Sequence, residues 1–290
     1  MRSFQVAVIS DPSSVPTISL RFTAPVLCWL AVLAGIASAD EVEVDASETA
    51  PIEREMQAAV ERFSLYSSPL RASKLVPVKA MRWDSPERGT GTSGFTYLYV
   101  HQGQPLAACC IYSRDGLVNF EFGTLTRGTV VGDLDGTVFW EPQRPGVTFV
   151  PVPESPEPAS SRAARLLQMK ELTRRFGSTM LGWRAGDDGQ QELRLLPRPV
   201  YRYEQAQDQV IDGAVFTFSM GVDPESFLIL EAVRTPVGMR WEYAFHRRTT
   251  AAVEGRLDGK PVWSVEAYPP GRNPKSNFRT IGLLIPNRMN

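Results

Sequence analysis

The stretch Gly94-Phe-Thr-Tyr-Leu-Tyr-Val-His-Gln-Gly-Gln-Pro-Leu-Ala-Ala-Cys-Cys-Ile-Tyr112 contains two apolar runs separated by a short turn at Gly103. Aromatic and β-branched residues are typical of strands, and so short a link indicates antiparallel neighbours. Four more strand-like runs surround this hairpin, with Asp115-Gly116 and Asp135-Gly136 as turns: Leu75–Trp83, Leu117–Phe122, Thr129–Gly132 and Thr137–Trp140. The first half of the chain therefore predicts an antiparallel sheet.

A helix is predicted ahead of this sheet, and a second helix opens the other half of the chain. Thr49 can cap the first helix, whose apolar residues keep helical spacing up to Phe63. The second helix begins at about Ser160 and is stopped by Gly177. Strand-like runs then follow again: Leu193–Tyr203, Ala214–Ser219, Phe227–Arg234, Met239–Arg247, Ala251–Arg256 and Pro261–Val265.

The two halves resemble each other in order and spacing. Gly94–Val100 matches Gly213–Ser219, and Leu134-Asp-Gly-Thr-Val-Phe-Trp140 matches Leu257-Asp-Gly-Lys-Pro-Val-Trp263 at a nearly constant offset. A helix precedes the strands in both halves. We therefore expect an α+β fold of two helix-plus-antiparallel-β-meander units that arose by internal duplication. A single curved sheet shared by both units is the main variant.

The same pattern divides the chain into segments, which are a signal peptide over 1–39, repeat 1 over 40–141, a proline-rich linker over 142–159, repeat 2 over 160–266 and a basic irregular tail over 267–290. Six prolines between Pro142 and Pro158 favour a semi-rigid linker. The tail is either draped over the body of the protein or in contact with an anionic envelope surface.

The amino-terminal segment has the anatomy of a secretory signal. Arg21 precedes an apolar run over Ala24–Ile36, which is too short to span a bilayer, and Ala37-Ser38-Ala39 fits a cleavage site. Lipidation of Cys28 is disfavoured because a leucine precedes it, where a lipoprotein signal needs a small residue. These features predict export to the periplasm or the extracellular space, with no membrane span after the signal is removed.

Charge and cysteine content exclude several classes of protein. The 31 basic and 32 acidic residues nearly balance, so no nucleic-acid partner is indicated. After cleavage only Cys109 and Cys110 remain, and neighbours in a strand point to opposite faces. Two reduced, buried thiols are therefore expected, and a vicinal disulfide is the alternative.

Motifs for catalysis are missing from the sequence. The chain has two histidines, and they occur in no metal-binding spacing; nucleophile-elbow and phosphate-loop patterns are also missing. We accordingly assign no catalytic residues, no cofactor and no metal ligands from sequence.

One strand pair is the best candidate for a ligand-binding site. Alternation along Met239–Arg248 places Arg240, Glu242, His246 and Arg248 on one face, and the preceding run carries Glu231 on an otherwise apolar face. A buried carboxylate needs a partner, for which Arg240 and Arg202 are candidates. The alternative is a solvated outer face with a structural salt bridge. Asp223-Pro224-Glu225 is predicted to be a turn.

The second half also carries a resemblance. It contains Asp212-Gly-Ala-Val-Phe-Thr-Phe218, Gly221-Val-Asp-Pro-Glu225, Leu228-Ile-Leu-Glu-Ala-Val-Arg234 and Leu257-Asp-Gly-Lys-Pro-Val-Trp263. In these segments the chain resembles a group of uncharacterised exported bacterial proteins. The resemblance implies export and a shared fold, and it implies no activity.

Three functions remain open at this point. The lack of a catalytic pattern favours a secreted or periplasmic non-catalytic protein, a binding or envelope-associated structural module that contacts a protein or small-molecule partner. Paired acids such as Glu231 and Glu242 keep a carboxylate-dependent hydrolase as the second hypothesis. An envelope assembly or chaperone-like factor is the third.

We predict that the exported protein begins at Asp40, because signal peptidase recognises small residues at the positions of Ala37 and Ala39. Amino-terminal sequencing of the secreted protein measures this directly. An intact apolar run, or a lipid on Cys28, would contradict the prediction.

Overall fold

Strands that are buried on both faces form the centre of the structure. In the computed structural model, nearly every residue of the strands around Gly94 and Gly213 is buried, because other layers cover both sides of each sheet. The structure describes residues 46–68, 71–86, 93–114, 117–182, 189–204, 209–268 and 273–284.

Two helices and 18 strands lie in these described ranges. The helices are α1 (Ala46–Glu61) and α2 (Arg162–Thr173). The strands before α2 are β1 (Phe63–Ser67), β2 (Val76–Asp84), β3 (Ser93–His101), β4 (Gln104–Arg114), β5 (Leu117–Thr124), β6 (Val130–Leu134), β7 (Thr137–Trp140) and β8 (Val150–Pro151). Those after it are β9 (Phe176–Leu181), β10 (Gln190–Glu192), β11 (Arg194–Leu195), β12 (Tyr201–Tyr203), β13 (Val210–Met220), β14 (Asp223–Thr235), β15 (Gly238–Arg247), β16 (Ala252–Leu257), β17 (Lys260–Val265) and β18 (Phe278–Leu284).

The strands form two large and two small sheets. The large sheets have the orders β18-β5-β4-β3-β2 and β11-β13-β14-β15-β8, with β12 also paired to β13. The small sheets have the orders β1-β6-β7 and β10-β9-β16-β17. Every strand pair in them is antiparallel, so the predicted antiparallel sheets are confirmed.

The predicted α+β class of two helix-plus-meander units is wrong. Strands account for 58% and helices for 11% of the described structure, which makes the fold mostly β. The predicted meanders are also interrupted: β6 pairs with β1 on one side and β7 on the other, while β18 from the end of the chain completes the first large sheet. Pairing between distant segments leaves no mark on local sequence patterns, so this arrangement was missed.

Both Leu-Asp-Gly segments form hairpin turns, which confirms the turn predicted at Asp135-Gly136. Asp135-Gly136 and Asp258-Gly259 all have positive φ, as a type I′ turn requires, and they join β6 to β7 and β16 to β17. Arg62, directly after α1, bonds to Asp135, and Arg175, two residues after α2, bonds to Asp258, so an arginine near the end of a helix holds each turn. The same kind of Asp–Arg ion pair therefore stabilises both hairpin turns.

Segments expected to be irregular also contribute strands. The proline-rich linker contains β8, which pairs with Glu242 and Tyr243 of β15. The tail contains β18, and its Ser276 carbonyl accepts a 2.7 Å bond from the indole of Trp140. The two segments touch as well, since Gln143 N donates to Lys275 O at 3.2 Å.

Three apolar clusters hold the layers together. The first lies between the β18-β5-β4-β3-β2 sheet on one side and α1 with the β1-β6-β7 sheet on the other. The second lies between the β11-β13-β14-β15-β8 sheet on one side and α2 with the β10-β9-β16-β17 sheet on the other. The third lies between the large sheets, where Leu98 and Ala108 meet Phe227, Ile229 and Ala244. The two large sheets therefore pack face to face, and each contributes its other face to a separate core.

Candidate functional site

The face of β14 and β15 that carries the predicted site is turned inward. Glu231 is 1% exposed and Glu242 is 8% exposed, so the solvated outer face considered above is wrong. The register places Glu231 of β14 directly opposite Glu242 of β15. Two adjacent carboxylates in a buried interface repel each other unless a cation lies between them.

Arg127 supplies that cation from the loop after β5. Its Nη1 donates to Oε2 of Glu231 at 2.6 Å, and its Nη2 donates to Oε2 of Glu242 at 2.6 Å. Because β5 belongs to the other large sheet, these two bonds tie the sheets together. We call Arg127, Glu231 and Glu242 the brace.

Neighbouring side chains fix the brace in place. The Tyr203 hydroxyl donates to Oε1 of Glu231 at 2.6 Å, and Arg240 donates to Oε1 of Glu242 through Nη2 at 2.6 Å. The guanidinium of Arg127 lies 3.7 Å from the centre of the Phe149 ring, a cation–π contact. The ring of Tyr203 reaches Glu231 only because Gly213 has no side chain, since a Cβ there would lie 2.3 Å from the ring.

Burial shifts the pKa values of Glu231 and Tyr203. It raises the pKa of Glu231 above its ordinary value, an effect that Arg127 and Tyr203 oppose. Burial, with the adjacent Glu231 charge, also raises the pKa of Tyr203 well above its usual range, so the phenol keeps its proton and remains a donor.

A cleft of about 850 Å³ opens beside the brace, at one end of the interface between the large sheets. Its wall is mostly polar and contains residues from both sheets: Gln104, Thr126, Arg127, Gln209, Arg234, Arg240 and Glu242. Arg127 is partly exposed, with 44% of its side chain accessible. We call this space the arginine cleft.

His246 and Arg248, also predicted as site residues, do not join the cleft. They lie farther along the same face, with Glu242 and His246 separated by four strand positions, or about 13 Å. Both are buried against β5, where a Cβ on Gly123 would lie 2.1 Å from Cε1 of His246. Nη2 of Arg248 donates to the Glu121 carbonyl at 2.7 Å. The predicted set therefore divides into two groups, with Glu231, Arg240 and Glu242 at the cleft.

From the sequence, replacing Glu242 or His246 with Ala is expected to cost little stability if the two side chains are exposed. Both are buried, so that condition fails. The Asp223-Pro224-Glu225 segment also differs from its prediction, because it is the buried start of β14 rather than a turn.

Cys109 and Cys110 are free and buried, as expected. Burial raises the pKa of Cys109 well above its ordinary value and raises that of Cys110 too, so both thiols stay protonated and unreactive. Within the described part of the chain, no group of three or more His, Cys, Asp or Glu residues is arranged to hold a metal ion.

Arg127 and Tyr203 are the residues that sequence reasoning missed. Arg127 is 104 positions from Glu231 in the chain and sits in a short loop without a motif. Arg202, one of the two partners considered for Glu231, binds Asp212 instead, at 2.6 Å. The one signal in the sequence was Glu231 on an otherwise apolar face. A buried acid needs a partner, but the sequence pattern does not identify which residue that partner is.

Comparisons with known proteins assign no family to this architecture. No family model matches the chain, and neither the curated proteins nor the solved structures include a match. The resemblance to exported bacterial proteins stays a prediction. Among the helices that the structure describes, none is long and apolar enough to cross a membrane.

Protonation of His246 makes stability depend on pH. Burial, reinforced by the charges of Arg248 and Arg247, lowers the pKa of His246 well below its ordinary value, so the folded protein keeps the imidazole neutral. Below about pH 6.5 the unfolded chain binds a proton there and the folded protein does not. We predict that this removes up to about 1.4 kcal/mol of unfolding free energy between neutral pH and about pH 5.5.

Chemical denaturation at the two pH values measures the loss. His246→Gln should lack this part of the pH dependence, whereas His101→Gln, at the end of β3, should keep it. An NMR titration of the His246 imidazole in the unmodified protein needs no variant. A midpoint near pH 6.5 in the folded state would contradict the prediction.

Proposed function

We propose that the protein is an exported, non-catalytic binding protein that holds a small polar ligand in the arginine cleft. The observation that carries this proposal is the cleft itself: about 850 Å³ of space between the ends of two sheets, with polar side chains converging on a braced guanidinium. Its volume lies in the range of roughly 300–1,000 Å³ that is common for ligand pockets, and its wall is more polar than that of a typical pocket, which suits a polar ligand. The sequence of residues 1–39 supports export; that segment lies outside the described residues.

The hydrogen bonds of the brace argue against a carboxylate-dependent hydrolase. Both oxygens of Glu231 accept protein donors, from Tyr203 and Arg127. Both oxygens of Glu242 do so too, from Arg240 and Arg127. A catalytic acid or nucleophile needs an oxygen that can reach the substrate, and these four are already engaged.

Surface composition offers little support for a chaperone-like or assembly role, which needs a contiguous apolar patch. The most exposed large apolar side chains in the described ranges lie on four different elements: Val76 at the start of β2, Leu167 on α2, Val237 in the β14–β15 turn and Leu284 at the end of β18. Single apolar side chains of this kind are ordinary on protein surfaces.

Screening by protein-observed NMR tests the proposal, with a library of small polar compounds that contains neutral, cationic and anionic members. We expect the compounds that bind to shift the amide signals of Val210, Thr235 and Glu242, which surround the cleft. Gln209→Trp places a large side chain in the cleft wall and should abolish these shifts.

A matched variant separates loss of the cleft from a general effect of the substitution. Gln191 is also an exposed glutamine, but it lies in β10, away from the cleft wall. Gln191→Trp should keep every shift. Equal loss in both variants, or binding that spreads over unrelated surfaces, would overturn the proposal.

A further inference from the structure

We propose that the arginine cleft recognises an oxyanion, the carboxylate, phosphate or sulfate group of a small ligand, through Arg127 and Arg240. This inference rests on the proposed function and specifies the chemistry of its ligand. Three properties of the cleft wall carry it: its hydrogen-bond donors, its acceptors and its charge.

Arg127 and Arg240 carry more hydrogen-bond donors than the described protein acceptors use. A guanidinium carries five N–H groups in a fixed plane. Arg127 uses two of them on Glu231 and Glu242, and Arg240 uses two on Glu242. Each therefore keeps three N–H groups without a protein acceptor among the described residues, beside a cleft that both side chains line.

Free acceptors are scarce by comparison. The one carboxylate in the wall, Glu242, already accepts on both oxygens. The amide groups of Gln104 and Gln209 supply acceptors and donors equally. A ligand that satisfies this wall must bring acceptors of its own, as an oxyanion does.

Charge favours the same ligand class. Three arginines line the cleft against the single charge of Glu242, and the sum stays positive even when Glu231, behind the wall, is added. Arg234 forms no ion pair with any residue that the structure describes. Anions are attracted to such a site, and salt should weaken their binding.

Glu242 prepares the pair of guanidinium groups for this role. Its two oxygens accept from Arg127 on one side and from Arg240 on the other. It thereby offsets the repulsion between two cations and fixes their planes before a ligand arrives. Oxyanions bind such fixed planar groups through paired, charge-assisted hydrogen bonds. Glu242 is thus a positioning residue.

Titration of the purified protein at low salt tests the inference, with inorganic phosphate, citrate, neutral maltose and cationic spermidine as probes. We expect phosphate or citrate to produce saturable shifts of the Arg127 and Arg240 side-chain N–H signals. Binding of phosphate alone would identify a phosphate-type ligand, and binding of citrate alone a carboxylate. Arg240→Gln should weaken this binding by roughly tenfold, since it removes charge-assisted bonds.

Arg144→Gln is the control, because Arg144 is an exposed arginine of the proline-rich segment outside the cleft wall. It should leave anion binding unchanged. Equal weakening in both variants, or no saturable shift up to about 20 mM of either anion, would overturn the inference. Maltose or spermidine binding in the cleft without anion binding would also overturn it, while leaving the proposed function standing.

Discussion

The bridge from Arg127 to Glu231 and Glu242 is the interaction on which the interface between the large sheets depends. The register of β14 and β15 forces the two carboxylates together on a buried face. Without Arg127, Glu231 would have no cationic partner in this set and Glu242 would keep only Arg240, and a buried charge that lacks a partner is costly to remove from water. Because the cation comes from the loop after β5, neutralising the pair also joins one sheet to the other. Packing of the sheets and ionisation of the acids are therefore coupled.

Along the rest of this interface, polar and apolar contacts are segregated. Its middle is apolar, where Leu98 packs with Phe227 and Ile229. The brace occupies one end and opens to the arginine cleft, whereas Arg248 and the neutral His246 are buried at the other end. The proposed binding site therefore lies at one end of the interface, and the side chains at the other end are buried. A ligand in the cleft would contact both sheets through the same side chains that hold them together.

How much the sequence could predict depended on how local each interaction is. The β3–β4 hairpin and the Asp-Gly turns were predictable because neighbouring residues determine them. The pairing of β18 with β5, and of β8 with β15, was not, since those strands are short or irregular in pattern and meet partners far away in the chain. Alternation correctly put Glu231 on an apolar face and Glu242 with Arg240. It could not supply Arg127, because a loop arginine has no periodic pattern.

A double-mutant cycle between Arg127 and Glu231 tests the central claim most directly, with the free energy of unfolding at neutral pH as the measured quantity. Arg127→Met should cost roughly 2 kcal/mol, less than a fully buried pair because Arg127 is partly exposed. In a Glu231→Gln background the same change should cost markedly less, since Glu242, which keeps Arg240, is then the only carboxylate that loses its bond to Arg127. A cost below about 0.5 kcal/mol, equal in both backgrounds, would contradict the account.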